Sequence, residues 1–104
     1  MDKKTDKAIN KYITLIKDNY TDVSKAILFG SFAKKSERKH SDIDVALVFK
    51  NLDDEKKFDL QVQLMILASK VDTRIEPHPV SESDFNSNNP FVSEIKKTGT
   101  EIKI

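Results

Sequence analysis

The sequence predicts an α/β (α+β) fold, in which a small mixed sheet of about four strands carries helices packed mainly on one face. Segments with helical and strand patterns follow one another in the order helix, strand, loop, strand, helix, strand, helix, strand. The chain of 104 residues has room for one domain with a modest hydrophobic core. We therefore expect residues 1–104 to form a single domain.

One helix and two strands are predicted in the first half of the chain. Over residues 3–20, apolar side chains recur at intervals of three and four, which is typical of a helix with one buried side. Residues 25–29 are apolar and are followed by Gly30, as at the end of a buried strand. Residues 41–49 are apolar and rich in β-branched side chains apart from two aspartates, so we expect a central strand that begins with carboxylates.

Residues 53–71 are predicted to form the longest helix. Apolar positions cover much of its circumference, which is typical of a helix that packs across a sheet and does not lie on the surface. One stripe of these positions, followed by the positions that widen it, consists of Leu60, Leu64, Leu67 and Val71, with Phe58, Val62, Met65 and Ile66.

The remaining predicted elements are short. Residues 73–76 form a third strand, which the segment Pro77-His78-Pro79 is expected to stop. A last helix has Asn89 as its N-cap, Pro90 at its first position and Gly99 just past its end. Residues 100–104 alternate in polarity and are predicted to close the sheet as an edge strand.

The composition excludes several classes of protein. Lys and Arg number 18 and Asp and Glu 17, and this balance argues against a protein that binds the phosphate backbone of duplex nucleic acid. Because the chain has no cysteine, disulfides, thiolate catalysis and Cys-based metal sites are excluded. No apolar run is long enough for a membrane span, and no signal-peptide pattern is present. We therefore expect a cytoplasmic protein that does not bind a membrane.

Two aspartates at the start of the predicted central strand form the first candidate site. Side chains two positions apart on a strand point to the same face, so Asp42 and Asp44 project together, about 6 to 7 Å apart along the chain. Two carboxylates held that close repel each other unless a cation lies between them. Oxygen ligands of this kind suit Mg²⁺, which completes its coordination with water and substrate phosphates. The pair is therefore predicted to bind magnesium.

The turn after the first predicted strand is a candidate phosphate site. Gly30 lets a phosphate approach backbone N–H groups that have no partner of their own, and Ser31 adds a hydroxyl donor. The loop that follows is basic through Lys34, Lys35, Arg38 and Lys39. A magnesium–triphosphate needs carboxylates and phosphate donors in one small site, and residues 30–44 offer both.

Glu76 is the candidate third carboxylate. It is the only acidic residue on a predicted apolar strand besides Asp42 and Asp44, and its side chain could reach the same metal pair if the two strands are neighbours. The residues leave open whether Glu76 binds metal, accepts the proton of an attacking hydroxyl group, or does both. His78, between two prolines, is expected to shape the end of the strand rather than bind metal.

The motif Gly30-Ser31, ten residues, Asp42-Ile43-Asp44 resembles the signature of the DNA polymerase β-like nucleotidyltransferase superfamily. The resemblance is greatest to the minimal nucleotidyltransferases, the MNT family of prokaryotes. It extends over essentially the whole chain, through the first helix, the segment 74–79 and the unit from Asn89 to Gly99.

The resemblance implies a nucleotidyltransferase fold that uses two Mg²⁺ ions and a nucleoside triphosphate, usually ATP. In the family pattern Gly30 and Ser31 hold the triphosphate, Asp42 and Asp44 bind both metal ions, and Glu76 matches the third carboxylate, which is an aspartate in many members. Members of this family are commonly paired with a small helical HEPN toxin. They act as the antitoxin and can transfer AMP to a tyrosine of the toxin.

Three functions remain open on the sequence alone. The first is transfer of a nucleoside monophosphate from ATP or another triphosphate to a hydroxyl group, with a HEPN protein as the partner in a hetero-oligomer. The second is an antitoxin that acts only by binding its partner. The third is the catalytic subunit of a transferase that acts on a small molecule or an RNA end. The chain has no aromatic-rich basic stretch, which makes RNA the weaker of these last two acceptors.

Overall fold

A computed structural model describes residues 3–30, 42–87 and 89–104 of the chain. Their helices and strands follow one another as α1 (Lys3–Asn19), β1 (Val23–Phe29), β2 (Ile43–Phe49), α2 (Asp54–Ser69), β3 (Ile75–Ser81), α3 (Glu82–Phe85), α4 (Pro90–Thr98) and β4 (Thr100–Ile102). The order of helices and strands agrees with the predicted one, apart from the short helix α3.

The four strands form one mixed sheet in the order β3-β2-β1-β4. β1 pairs antiparallel with both β2 and β4, whereas β2 and β3 run parallel. Parallel strands need a crossover connection, and α2 provides it between β2 and β3. The predicted α+β fold with a mixed four-stranded sheet is confirmed, and β4 is the edge strand that the last residues predict.

The two long helices cover one face of the sheet. Ile9, Tyr12 and Ile16 of α1 pack with Leu64 of α2 against alternate residues of the strands. The hydroxyl group of the fully buried Tyr12 donates a hydrogen bond of 2.9 Å to the carbonyl oxygen of Leu64, so its polar end is satisfied inside the core. This face contains the larger of the two hydrophobic clusters.

The short helices α3 and α4 lie against part of the opposite face. Val92 and Ile95 of α4 and Phe85 of α3 pack on Ala46 and Val48 of β2. As predicted, Asn89 caps α4, and its side-chain oxygen accepts a hydrogen bond of 2.8 Å from the N–H group of Phe91. α3 was not predicted, although Ser81 caps it by accepting a bond from the N–H group of Asp84, the first half of a capping box.

The prediction that Pro77-His78-Pro79 stops the third strand is wrong, because β3 continues through both prolines to Ser81. The reason is the position of β3 at the edge of the sheet. The N–H group of Ile43 donates to the carbonyl oxygen of Arg74, so the parallel ladder uses the even-numbered residues of β3. The proline nitrogens therefore face the open edge, where no strand needs a donor.

The prediction that α2 packs across the sheet is confirmed for one side of the helix, whereas the expectation that it does not lie on the surface is wrong for its other side. Leu64 and Ala68 are buried and Leu60, Leu67 and Val71 are partly buried against the sheet side. The four positions that were expected to widen this stripe are exposed instead: Phe58, Val62, Met65 and Ile66. Only one side of α2 meets the sheet and α1, and nothing among the described residues covers its other side.

Within the described residues, none of the helices combines the length and the apolar character that a bilayer span requires.

Candidate active site

The candidate site lies where β1 ends and where β2 and β3 begin. Phe29 at the end of β1 is paired with Asp44 in the antiparallel register. On the other side of β2, Asp44 is paired with Glu76 in the parallel register. The predicted neighbourhood of the two carboxylates is therefore present, because parallel pairing brings the first residues of β2 and β3 side by side.

Asp44, Glu76 and His78 form a compact group of possible metal ligands. One ligand atom from each of the three residues lies within 4.8 Å of the other two. His78 Nε2 is 3.1 Å from Asp44 Oδ1, and about a quarter of each of these side chains is exposed. The imidazole ring therefore fixes the orientation of the Asp44 carboxylate.

Asp42 lies just before β2 and completes the acidic group through Glu76. The pKa of the Glu76 carboxyl is raised, first by partial desolvation and next by repulsion from the Asp44 carboxylate. Asp42 raises this pKa further through its charge and a hydrogen bond, whereas His78 opposes the rise. A carboxyl group whose pKa is raised by neighbouring carboxylates belongs to an arrangement that a bound cation stabilises.

Gly30 is in steric contact with this group. Its φ of +77° lies in the left-handed region, which suits glycine because it has no Cβ. A Cβ built on Gly30 would collide with Asp44 Oδ2. The turn after β1 and the carboxylates of β2 are therefore one structural unit, and Asp44 can keep its position only if residue 30 is a glycine.

Ser31 and the basic loop residues of the predicted phosphate site, from Lys34 to Lys39, lie outside the described residues. Of the predicted site residues, the structure brings Gly30, Asp44 and Glu76 together, with Asp42 beside Glu76.

His78 belongs to this group, although its position between two prolines predicts a role in shaping the end of the strand. The signal that identifies it is the alternation of side chains on a strand. Positions 76 and 78 of β3 point to the same face, and the parallel register sets them beside Asp44 and Ala46 of β2. The two prolines predict an end of the strand at Glu76, so the alternation of side chains was not extended to position 78.

An aromatic cluster forms one wall of the site. The rings of Phe29 and Phe91 meet edge to face with centroids 5.8 Å apart, and each also contacts the ring of His78. Phe91 stands at the start of α4 with 46% of its surface exposed. A flat apolar surface is therefore open to solvent next to the carboxylates.

The donor atoms at this site fit a divalent cation. Asp44, Glu76 and Asp42 supply hard carboxylate oxygens, which suit Mg²⁺, and the His78 imidazole is a ligand for transition metals as well.

Comparison with known proteins adds a family match and a set of structural neighbours. The family described as Polymerase beta, Nucleotidyltransferase matches residues 10–103. Among proteins with curated annotation, none is significantly similar to this chain.

Several solved structures share the fold. A toxin–antitoxin crystal structure with AMP-PNP superimposes with a TM-score of 0.64 and 24% identity, covering 88% of this chain and 69% of that one. A proposed nucleotidyltransferase from Sulfolobus solfataricus has a TM-score of 0.67 and 19% identity, over 91% and 76% of the two chains. A complex of tri-AMPylated Shewanella oneidensis HEPN toxin with MNT antitoxin has a TM-score of 0.58 and 22% identity, over 90% and 67%.

Proposed function

The chain belongs to the polymerase β nucleotidyltransferase family, and we propose that it is a Mg²⁺-dependent enzyme that transfers AMP from ATP to a hydroxyl group. Its acceptor is a tyrosine of a HEPN toxin, so that the chain acts as the antitoxin. The observation that carries the proposal is the convergence of Asp44, Glu76 and Asp42 beside Gly30 at the ends of three strands.

Each residue of the site has a proposed role in binding. Asp42, Asp44 and Glu76 would hold two Mg²⁺ ions, and Gly30 and Ser31 would bind the triphosphate through the turn after β1. When bound, Mg²⁺ would supply the Lewis acidity that neutralises charge on the phosphates. His78 keeps Asp44 oriented through its contact of 3.1 Å.

The proposed reaction is a displacement at the α-phosphorus of ATP. The acceptor oxygen forms a bond to this phosphorus, the bond between the α-phosphorus and the oxygen that bridges to the β-phosphorus breaks, and pyrophosphate leaves. The proton of the acceptor hydroxyl passes to a carboxylate, for which we propose Glu76. Glu76 is the exposed member of the group, so an acceptor hydroxyl group can reach its carboxylate.

Two features support an aromatic acceptor on a protein partner. The exposed Phe91 ring next to the carboxylates offers a surface on which a tyrosine ring can pack. One structural neighbour is the complex of a tri-AMPylated HEPN toxin with its MNT antitoxin.

The mechanism predicts that the double substitution Asp42→Asn and Asp44→Asn abolishes AMP transfer and leaves the fold intact. The measurement is transfer of label from α-labelled ATP to the co-purified partner in the presence of Mg²⁺. We expect a loss of at least about a thousandfold, because the site loses two charges that hold its metal ions. The matched control is Asp53→Asn with Asp54→Asn, a pair of exposed carboxylates at the start of α2. Unchanged transfer in the Asp42/Asp44 variant would contradict the mechanism.

A binding-only antitoxin is the second candidate, and the exposed Phe91 ring favours it, since an exposed apolar surface can bind a partner without any transfer reaction. The Asp42/Asp44 variant distinguishes the two functions in cells that produce the toxin. Loss of protection supports the enzyme, whereas full protection by the catalytically inactive variant supports the binding-only function.

A further inference from the structure

The outward side of α2 carries a continuous apolar stripe. The exposed fraction is 75% for Phe58, 40% for Val62, 50% for Met65 and 54% for Ile66. At 3.6 residues per turn, Phe58 and Ile66 lie about 40° on either side of Val62, and Leu64 points about 160° away from it. The stripe is therefore directly opposite the side of α2 that packs on the sheet.

A stripe of this kind indicates a surface that binds another molecule. Scattered exposed apolar residues are ordinary, but contiguous apolar patches on a small domain mark interaction surfaces. The side chains of the stripe do not belong to the hydrophobic core of the domain. The buried residues of α2 are Leu64 and Ala68, on its other side.

We propose that this stripe is a dimer interface at which α2 of a second copy packs antiparallel against it, with the two-fold axis beside Val62. A two-fold interface requires a surface that is complementary to itself. The stripe meets this requirement because Phe58 and Ile66 stand four positions before and after Val62. In the antiparallel pair, Phe58 of each copy lies at the height of Ile66 of the other, and the two Val62 side chains meet at the centre.

The charges at the two ends of the stripe fit the same arrangement. Glu55 lies seven positions before Val62 and Lys70 eight positions after it, and both are exposed. Antiparallel packing brings Glu55 of one copy to the height of Lys70 of the other, on the same side of the helix pair. Two equivalent ion pairs, one at each end, would thus flank the apolar centre.

The groove beside the stripe enlarges the surface that a second copy can cover. It runs between the end of α1 and α2 and is lined by Asn19, Tyr20, Gln63, Ile66 and Leu67. Ile66 belongs to both the stripe and the groove, so a ridge of side chains from the second copy can enter it.

The proposed interface is independent of the active site. Asp44 points to the same face of the sheet as Ala46 and Val48, which pack against α3 and α4. α2 covers the opposite face. A dimer formed through α2 therefore leaves both active sites open, and it does not depend on the proposed transfer reaction.

The first experiment measures mass against concentration by sedimentation equilibrium with the chain alone, from about 5 to 500 μM. A single helix pair is smaller than a standard interface, so we expect a dissociation constant of about 10 to 100 μM. The substitution Phe58→Asp is expected to weaken the dimer at least about tenfold. The control is Ile104→Asp, which changes an exposed apolar residue outside the stripe and is expected to leave the mass unchanged. Circular dichroism of each variant verifies that it folds.

The second experiment exchanges the charges at the ends of the stripe. Glu55→Lys and Lys70→Glu are each expected to weaken the dimer about threefold to tenfold, and the double variant is expected to restore it. Both substitutions oppose the dipole of α2, so recovery in the double variant cannot come from a more stable helix.

Three outcomes would overturn the proposal. The chain could remain monomeric at 500 μM, or the dimer could persist unchanged in Phe58→Asp. A double charge variant as weak as the single ones would show that Glu55 does not face Lys70 of the second copy, and would exclude the antiparallel arrangement.

Discussion

Gly30 connects the two halves of the candidate site, the turn after β1 and the carboxylates at the start of β2. In many phosphate-binding turns glycine is needed so that the ligand can approach the backbone. Here it is also needed by a protein side chain, since a Cβ on residue 30 would occupy the position of the Asp44 carboxylate. The glycine and the aspartate of the motif are therefore constrained together.

Gly30→Ala is expected to remove Mg²⁺ binding and transfer more completely than it removes stability. The left-handed φ costs an alanine about 1–2 kcal/mol, and the new Cβ displaces Asp44. Thermal unfolding and calorimetric titration with Mg²⁺ and ATP measure the two effects. The matched control is Gly99→Ala, whose Cβ would meet Ile95 and Ile27 in the core away from the carboxylates. This control is expected to lose stability and retain binding by the folded fraction, and an equal loss of binding in both variants would contradict the coupling.

The turn that leads into β3 shows how one element is held at its start. Asp72 Oδ1 accepts hydrogen bonds of 2.9 Å and 3.2 Å from the backbone N–H group and Nε of Arg74, and Asp72 Oδ2 accepts one of 2.9 Å from Arg74 Nη2. Arg74 Nη2 also lies 3.4 Å from the hydroxyl oxygen of Thr5 in α1. The turn thereby connects the end of α2 and the start of β3 with α1, two residues before Glu76.

The hydrogen bond from the Arg74 side chain is the largest of the effects that lower the pKa of Asp72. A carboxyl group with a lowered pKa in the folded state stabilises the fold above its unfolded pKa of about 3.9, and this contribution is lost as the pH falls through the folded pKa. We expect Asp72→Asn to lower the free energy of unfolding by about 1 kcal/mol at pH 7. When the pH falls from about 5 to about 2, the variant is expected to lose less stability than the wild type, because it lacks the carboxyl group that becomes protonated.

Urea unfolding of both proteins across this pH range measures the difference. The exposed Asp18→Asn serves as the control and is expected to follow the wild type. Parallel curves for wild type and Asp72→Asn over the whole range would show that the bonds to Arg74 do not stabilise the fold.

Particular elements show which parts of the fold the sequence predicts and why the rest is missed. The strands and the capped helix α4 follow from local patterns, because apolar runs, Asn89-Pro90 and Gly99 act within a few residues. The outer side of α2 does not follow, since a helix that is apolar on two opposite sides has no pattern that tells which side meets the sheet. The sequence predicts too short a third strand, because an edge strand tolerates proline and the edge position of β3 depends on the strand order of the sheet.

The candidate site is predictable to a similar extent. Asp42, Asp44 and Gly30 belong to one local motif, and Glu76 follows from its strand position. The contact of His78 with Asp44 depends on the parallel register of β2 and β3, which is a property of the tertiary fold.

At the scale of the whole molecule, the sheet separates two surfaces. The carboxylates and Phe91 lie on the face of the sheet that α4 partly covers. α2 covers the opposite face, and its apolar stripe points outward, away from the sheet. The structural neighbours are longer than this chain, which covers 69% of the toxin–antitoxin chain that carries AMP-PNP. Because the carboxylates and the exposed Phe91 ring lie on that face of the sheet, we expect the acceptor to approach from the side of α4.

The charge balance of the site predicts a response of the whole fold to Mg²⁺. Because the folded pKa of Glu76 is raised, its ionised form destabilises the fold above that pKa, and the effect disappears as the pH falls through it. We expect Mg²⁺ to raise the melting temperature of the wild type at pH 7, since it binds the folded state and screens the carboxylates. Glu76→Gln is expected to be slightly more stable than the wild type without Mg²⁺ and to respond less to the ion.

Differential scanning calorimetry with and without Mg²⁺ tests this response, and Glu94→Gln provides an exposed glutamate as the control. An equal rise in melting temperature for the wild type and Glu76→Gln would show that the ion does not bind at this carboxylate.

The intact mass of the co-purified partner tests the central claim most directly. The complex is incubated with Mg²⁺ and each nucleoside triphosphate in turn, and the partner is measured by mass spectrometry with fragmentation to locate the modified residue. With ATP we expect one or more AMP units on a tyrosine of the partner, and none with the Asp42/Asp44 variant. A partner that stays unmodified with every triphosphate would contradict AMP transfer, and modification that persists in that variant would contradict the role of the two aspartates.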